Sequence, residues 1–304
     1  MKILINRKIV EGPWGGGNNF VKAFYKYMPL LGYEIVESLN QGPDIIFIMD
    51  PRYDKNCISI NEAIKYKTVN PACKIIQRIN ECDARKGTDN IDKLLINCSN
   101  YIDKTIFVSN WMKNYFLEKG WHCKDNNVLI NGVDDNYGKK KKISNGKINI
   151  VTHHWSDNYM KGFDYYEMID ELCGKRKDIT FTYIGRERGT FKNTTVIPPL
   201  FGEDLANQLG KYDLYVTASR FDPGPNHVLE AIASEIPTFS YKDGGGACEF
   251  TGKDFVFESF EDLVEKIEKG SYNKNDTKID SWKKCMEGLN ELCRNYWYYY
   301  KVFY

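Results

Sequence analysis

Three stretches of this 304-residue sequence carry side chains whose types and spacing could do chemistry. The first is Ser219-Arg220-Phe221-Asp222-Pro223-Gly224-Pro225-Asn226-His227-Val228-Leu229-Glu230-Ala231, which leaves a buried strand and opens a helix. Asp222 and Glu230 place one carboxylate in the loop and one in the helix. Ionised carboxylates only accept hydrogen bonds, which suits the hydroxyls of a sugar or a ribose. Pro225 fits the first helical position, where its missing N–H is not needed. The second stretch is Gly12-Pro13-Trp14-Gly15-Gly16-Gly17-Asn18-Asn19-Phe20, between the first strand and the first helix. Gly15, Gly16 and Gly17 let backbone N–H groups approach a ligand, and a helix N-terminus favours an anion such as a diphosphate. A dinucleotide fingerprint does not fit, because Phe20 stands where a third glycine belongs. The third stretch, Gln77-Arg78-Ile79-Asn80-Glu81-Cys82-Asp83-Ala84-Arg85-Lys86, gathers charge just beyond a strand end. Each stretch has a purely structural alternative: a loop without a ligand, or a strand end with a solvated face.

Alternating apolar and amphipathic stretches supply the elements that must hold these groups. Strands are expected at Lys2–Asn6, Tyr33–Leu39, Asp44–Asp50, Cys73–Ile79 and Lys104–Ser109, with helices at Asn18–Leu31, near Asn90–Asn100 and at Asn110–Lys119. Asp44–Asp50 is apolar on both faces, as a central parallel strand is. Ser109 is the expected N-cap of the helix it precedes. Lys139–Lys142 and Ser144-Asn145-Gly146 then read as a linker. Alternation restarts with strands at Ile148–Thr152, Ile179–Gly185, Thr194–Ile197, Leu214–Ala218, Pro237–Tyr241 and Asp254–Phe257. Helices are expected between them at Phe163–Cys173, Glu203–Tyr212, Asn226–Ser234 and Phe260–Lys269. Repeated βα units predict two doubly wound parallel sheets in an α/β protein, with ligands at the carboxyl ends of the strands. The expected domains are 1–138 and 146–279. A terminal helix over 280–304 carries the stripe Trp282, Met286, Leu289, Leu292, Tyr296 and Tyr300.

Composition excludes several classes. The formal net charge is +1, so nothing marks a nucleic-acid binder. No apolar run approaches the ~20 residues of a transmembrane helix. Met1–Arg7 reads as a strand and not a signal peptide. The nine cysteines have no CxxC spacing, which removes zinc ribbons and fits reduced thiols in the cytoplasm. Four histidines, His122, His153, His154 and His227, show no metal-ligand spacing, and no metal site is expected. The aromatic end, Tyr296 to Tyr304, is read as a packed helix; the alternative is a peripheral membrane contact.

The segment around Asp222 and Glu230, followed by Ile236-Pro237 and Gly244-Gly245-Gly246-Ala247-Cys248-Glu249, resembles the retaining glycosyltransferases of family 4, which have the GT-B fold. Thr105–Asn110, Asn131-Gly132-Val133-Asp134 and Lys161-Gly162-Phe163-Asp164 resemble other family motifs in the same order. The resemblance spans Gly15 to Glu249. It implies two Rossmann-like domains facing across a cleft, with the acceptor on the N-terminal side and the terminal helix crossing back to it. The implied reaction transfers a sugar from a UDP- or GDP-sugar to a hydroxyl of a glycan, a lipid-linked acceptor or a small molecule, with retention and without cofactor or metal. Glu230 would hold the ribose hydroxyls, Asp222 would stand near the transferred sugar, and Lys161 would neutralise the diphosphate. Ser219, Asn226 and His227 would line the donor, and Gly15, Gly16 and Gly17 would face its diphosphate. The family's Arg before the Lys-Gly pair is missing, leaving His154, Ser156 or Arg186 to replace it. Arg78, Asn80 and Asp83 would contact the acceptor or the sugar. An epimerase-like nucleotide-sugar enzyme and a non-catalytic nucleotide- or glycan-binding relative are the alternatives.

Overall fold

Short apolar runs of the first half line up as neighbouring parallel strands in a computed structural model. It describes residues 1–12, 15–52, 54–189, 191–270 and 272–303, with the backbone alone beyond Arg294. The aromatic side chains expected at Tyr296–Tyr304 lie outside the described residues. The first unit comprises Met1–Gly132 and Asp280–Tyr304. Its elements are β1 (Lys2–Ile5), α1 (Gly16–Tyr27), β2 (Glu34–Val36), β3 (Ile45–Ile48), α2 (Ile60–Val69) and β4 (Lys74–Ile79). There follow α3 (Asp83–Lys86), α4 (Ile91–Cys98), β5 (Lys104–Phe107), α5 (Asn110–Glu118) and β6 (Asn126–Val128). The sheet order is β2-β1-β3-β4-β5-β6, with every pair parallel.

Local chemistry sets the boundaries. α1 buries Phe20, Val21 and Phe24, and Pro29 ends the α-helix before the expected Leu31, leaving a 3-10 turn over Pro29–Leu31. α2, absent from the sequence reading, starts at a capping box in which Ser59 accepts from the Glu62 N–H and Glu62 returns the bond. The Ser109 hydroxyl accepts from the Met112 N–H at 3.0 Å and caps α5.

The second unit is Val133–Ile279. It contains β7 (Ile148–His154), α6 (Phe163–Lys175), β8 (Ile179–Gly185), β9 (Thr195–Ile197), α7 (Gly202–Leu209) and β10 (Leu214–Thr217). It continues through α8 (Asn226–Ala233), β11 (Thr238–Tyr241), α9 (Gly246–Thr251), β12 (Val256–Phe257) and α10 (Phe260–Lys269). Its parallel sheet runs β12-β11-β10-β7-β8-β9. The chain leaves the first unit at Gly132, earlier than the lysine run. That run packs on the second unit: the Lys142 ammonium donates to the Tyr212 carbonyl, and the Ile143 N–H donates to the Lys211 carbonyl at 2.9 Å.

The final helix, α11 (Trp282–Phe303), belongs to the first unit. Its Trp282, Cys285, Met286, Leu289 and Cys293 share a core with Phe20, Phe24, Ile76 and Ile106. Each sheet reverses its winding once, between β1 and β3 in one and between β7 and β10 in the other. Open parallel sheets bind ligands at the carboxyl ends of the strands at such points.

Candidate functional site

In the second unit the reversal brings together the ends of β7 and β10. Gly162 follows Lys161 at φ +90°, and a Cβ there would lie 2.4 Å from the Ala218 carbonyl oxygen, so only glycine lets this turn lie flat on the end of β10. The Arg220 N–H donates to the Met160 carbonyl at 2.8 Å and ties the two loops together. Lys161 Nζ thereby reaches Asp222 Oδ2 at 2.9 Å, with both side chains almost fully buried. Phe221 holds a left-handed φ of +50°, a conformation uncommon outside glycine. The turn around it is stitched to the next loop, with the Phe221 N–H on the Asp243 carbonyl and the Gly246 N–H on the Asp222 carbonyl.

Glu230 lies one turn into α8. His153 Nε2 is 2.9 Å from Glu230 Oε2, and His153 Nδ1 is 3.1 Å from the Tyr215 hydroxyl. Burial, and then the charge of Glu230, raise the Tyr137 phenol above its ordinary range. His154, the next residue, points to the other face of β7 and meets the Tyr166 hydroxyl through Nε2 at 2.7 Å. Burial, then His227 and Lys161, push the His154 imidazole well below its ordinary range, so it is neutral at pH 7. Its ring stands edge-on to His227 at 4.6 Å, and His227 Nε2 lies 3.1 Å from Thr217 Oγ1. Among the described residues, His154 Nδ1 and the fully buried Ser219 Oγ have no hydrogen-bond partner. α8 begins at Pro225 and Asn226 with neither a side-chain cap nor an acidic residue in its first turn. An ammonium, two carboxylates, an uncapped helix start and buried polar atoms therefore share one strand-end site. That set can take an anion attached to a hydroxylated group.

Two expected donor contacts sit differently. Ser156 Oγ accepts from the Asn158 N–H at 3.2 Å and shapes the turn before Lys161. Arg186 is exposed, with its guanidinium 5.1 Å from the Trp155 ring centre. It follows Gly185, whose φ of +146° lets the backbone pass against the His154 carbonyl, where a Cβ would stand only 1.8 Å from the oxygen.

In the first unit, α1 starts at Gly16 with Gly15 as an extended N-cap, no side-chain cap and no acidic residue in the first turn. A Cβ on Gly17 would lie 3.3 Å from Asn80 Nδ2, so the glycine loop and the end of β4 adjoin. Arg78 does not line that surface. It is 1% exposed, with its guanidinium 4.3 Å from the Phe20 ring centre and Nη2 donating to Asn131 Oδ1. The Asp83 carboxylate is engaged locally, accepting from the Ile91 and Asp92 N–H groups at 3.0 Å and from Thr88.

The sequence reading missed a cavity of about 360 Å³ at the ends of β1 and β3, lined by Asn6, Arg7, Asp50, Arg52, Asp54 and Cys57. Asn6 staples the two strand ends, donating to the Asp50 carbonyl and accepting from the Met49 N–H, both at 2.6 Å. Arg52 grips Asp50 through Nε at 2.9 Å and Nη2 at 2.6 Å, and Nη2 lies 3.0 Å from Glu81. The available signal was positional: Asn6-Arg7 and Asp50–Arg52 directly follow the two strands that flank the reversal.

No protein-family model matches the chain, and no curated protein matches it. Solved structures do. HepE of Anabaena with UDP and glucose has a TM-score of 0.70 at 13% identity, over 96% of this chain and 98% of its own. The lipopolysaccharide outer core galactosyltransferase WaaB gives 0.69 at 13% identity, over 97% of this chain and 100% of its own. Sucrose-phosphate synthase from Thermosynechococcus elongatus gives 0.68 at 11% identity, over 97% and 98%. The chain has the α/β two-domain fold of the GT-B glycosyltransferases.

Proposed function

We propose that this protein is a glycosyltransferase that moves a sugar from a UDP- or GDP-sugar to an acceptor hydroxyl with retention of configuration, in the manner of family 4. The observation that carries the reading is the convergence of Lys161, Asp222, Glu230 and the start of α8 where β7 and β10 end. HepE, of the same fold, was also solved with UDP-glucose, which supports a nucleotide-sugar donor.

Glu230 receives the ribose hydroxyls. Lys161 and the N-terminus of α8 take the diphosphate, with Ser219, Asn226 and His227 beside them. The neutral His154 supplies a hydrogen bond in place of the missing arginine charge. Asp222 stands by the transferred sugar. Gly15, Gly16 and Gly17 open α1 of the first unit with backbone N–H groups suited to an anion, and Asn80 adjoins them. The sugar C1–O bond to phosphate breaks, a bond from C1 to the acceptor oxygen forms on the same face, and the acceptor proton passes to the departing phosphate. The protein's part is orientation and stabilisation of charge on that phosphate. The cavity of Arg7, Asp50 and Arg52 is the acceptor subsite of this reading, because fixed carboxylates and guanidinium groups match neighbouring hydroxyls of a glycan, a lipid-linked sugar or a small molecule.

Among the described residues no helix is long and apolar enough to cross a membrane. We read the nine cysteines, which lack CxxC spacing, as reduced thiols suited to work in the cytoplasm. A panel of UDP- and GDP-sugars, followed by release of nucleoside diphosphate with and without EDTA, tests the reading. Turnover that survives EDTA is expected. Nucleotide binding with no turnover across acceptors would favour a non-catalytic relative, and a changed sugar without an acceptor would favour an epimerase.

A further inference from the structure

We infer that His153 is a positioning residue for the donor: anchored through one ring nitrogen to Tyr215, it uses the other to hold the Glu230 carboxylate in the orientation that receives ribose. This rests on Glu230 being the ribose carboxylate, as proposed above.

A glutamate has three rotatable side-chain bonds, and fixing them during binding weakens affinity, whereas a carboxylate fixed beforehand avoids that loss. Glu230 is held by a ring nitrogen: His153 Nε2 lies 2.9 Å from Oε2. His153 is itself rigid. It lies one residue before the end of an interior strand, pairs with Ile184 of β8 in register, and sits edge-on to Tyr215 at 5.6 Å and to His227 at 6.1 Å.

An ionised carboxylate only accepts, so the hydrogen on His153 Nε2 faces Glu230. The His153 N–H donates to the Tyr215 oxygen at 3.1 Å, so that oxygen already accepts. The same hydroxyl lies 3.1 Å from His153 Nδ1 and 3.3 Å from the His153 carbonyl, so it ties both the ring and the backbone of His153 in place. Tyr215 is fully buried, and burial raises its phenol well above its ordinary range, so the first link of this relay stays protonated. The chain runs from strand backbone through two rings to the carboxylate, which is the support a binding group needs beneath it. His154 cannot take this part, because adjacent strand residues face opposite sides and its Nε2 is engaged by Tyr166.

Calorimetry on the full chain tests the inference, with UDP and GDP as probes and the tighter of the two used throughout. E230Q should weaken binding about ten-fold or more, as loss of a charged hydrogen-bond partner does. H153L should weaken it about ten-fold. H153Q should recover most of that loss, because its amide N–H can reach Oε2. The double variant H153L/E230Q should bind no more weakly than E230Q alone. Melting curves of each variant separate binding from folding, and H153N, whose amide falls short of Oε2, replaces H153L where that variant does not fold. Wild-type affinity in H153L, failure of H153Q to recover, or additive losses in the double variant would overturn the positioning role alone. No binding of either nucleotide, or wild-type affinity in E230Q, would overturn the underlying reading and this inference with it.

Discussion

Arg78 illustrates what an inward-facing charge does at a strand end. Its Nε and Nη1 have no hydrogen-bond partner, and burial lowers its pKa to about 10. The folded pKa lies below the unfolded one, so folding disfavours the charged form. That cost is present throughout the neutral range and is relieved only as pH rises above about 10. Replacement by an apolar group of similar length should therefore stabilise the first unit. R78M is expected to gain about 1–4 kcal/mol in urea unfolding at pH 7, and a loss would mean that the stacking on Phe20 and the bond to Asn131 outweigh desolvation. The same residue marks a limit of legibility. Its charge put it among the candidate contacts, but strand alternation turns it toward Phe20. Asp222 and Glu230 were readable because their spacing spans a loop and a helix start. His153 was not, because nothing in His153-His154 tells which ring faces α8 and which faces α6.

Elements were legible where capping or periodicity was strong, and less so where a short motif decided them. α5 followed from Ser109, and most strands of both sheets from their apolar runs. α2 was missed because its apolar face is narrow, Ile60 and Ala63 being its only described buried residues. α9 was hidden in a glycine-rich turn, since the run Gly244–Gly246 that leads into it spoke for a loop while Ala247 and Phe250 supplied the buried face. The stripe of α11 was legible as far as Leu292, and its partners are now named. The Lys104 ammonium donates to the Leu292 carbonyl at 2.8 Å, and the Tyr33 hydroxyl reaches Asn290 at 3.2 Å. Truncation before Asp280 should leave the α1 face of the first unit uncovered. Each large apolar side chain removed contributes roughly 1.5–3 kcal/mol as an upper value. A truncated chain that aggregates or melts far earlier is expected. One that melts as before while losing liposome binding would assign the helix to a membrane contact.

At the scale of the whole molecule, alternation of strands and helices sufficed for two parallel sheets, while the lysine run misplaced the passage between them. Lysines have long apolar stems, and Lys142 lays its stem along the second unit while its ammonium finds a carbonyl. The two units have separate apolar cores. A nucleotide held at the ends of β7 and β10 should stabilise the second, by about 2.7 kcal/mol at a hundred times its dissociation constant. Hydrogen exchange with saturating UDP should slow β7, β8 and β10 while β4 and β5 keep their rates. Equal slowing of both cores would mean that the units unfold as one.

The bond between Lys161 and Asp222 has a consequence for occupancy. Without a donor, the carboxylate already sits where a phosphate oxygen would draw the ammonium. Under the proposed donor reading it would be an internal stand-in for the ligand, which a diphosphate would evict on arrival and which would reclaim the ammonium when product departs. The pair would then tune residence time as well as charge. D222N, which leaves a neutral competitor of the same shape, should bind UDP more tightly and shed it more slowly than wild type, while transferring sugar more slowly. Stopped-flow displacement of UDP measures this directly. Faster release from D222N would show that Asp222 holds the nucleotide in and does not help to push it out.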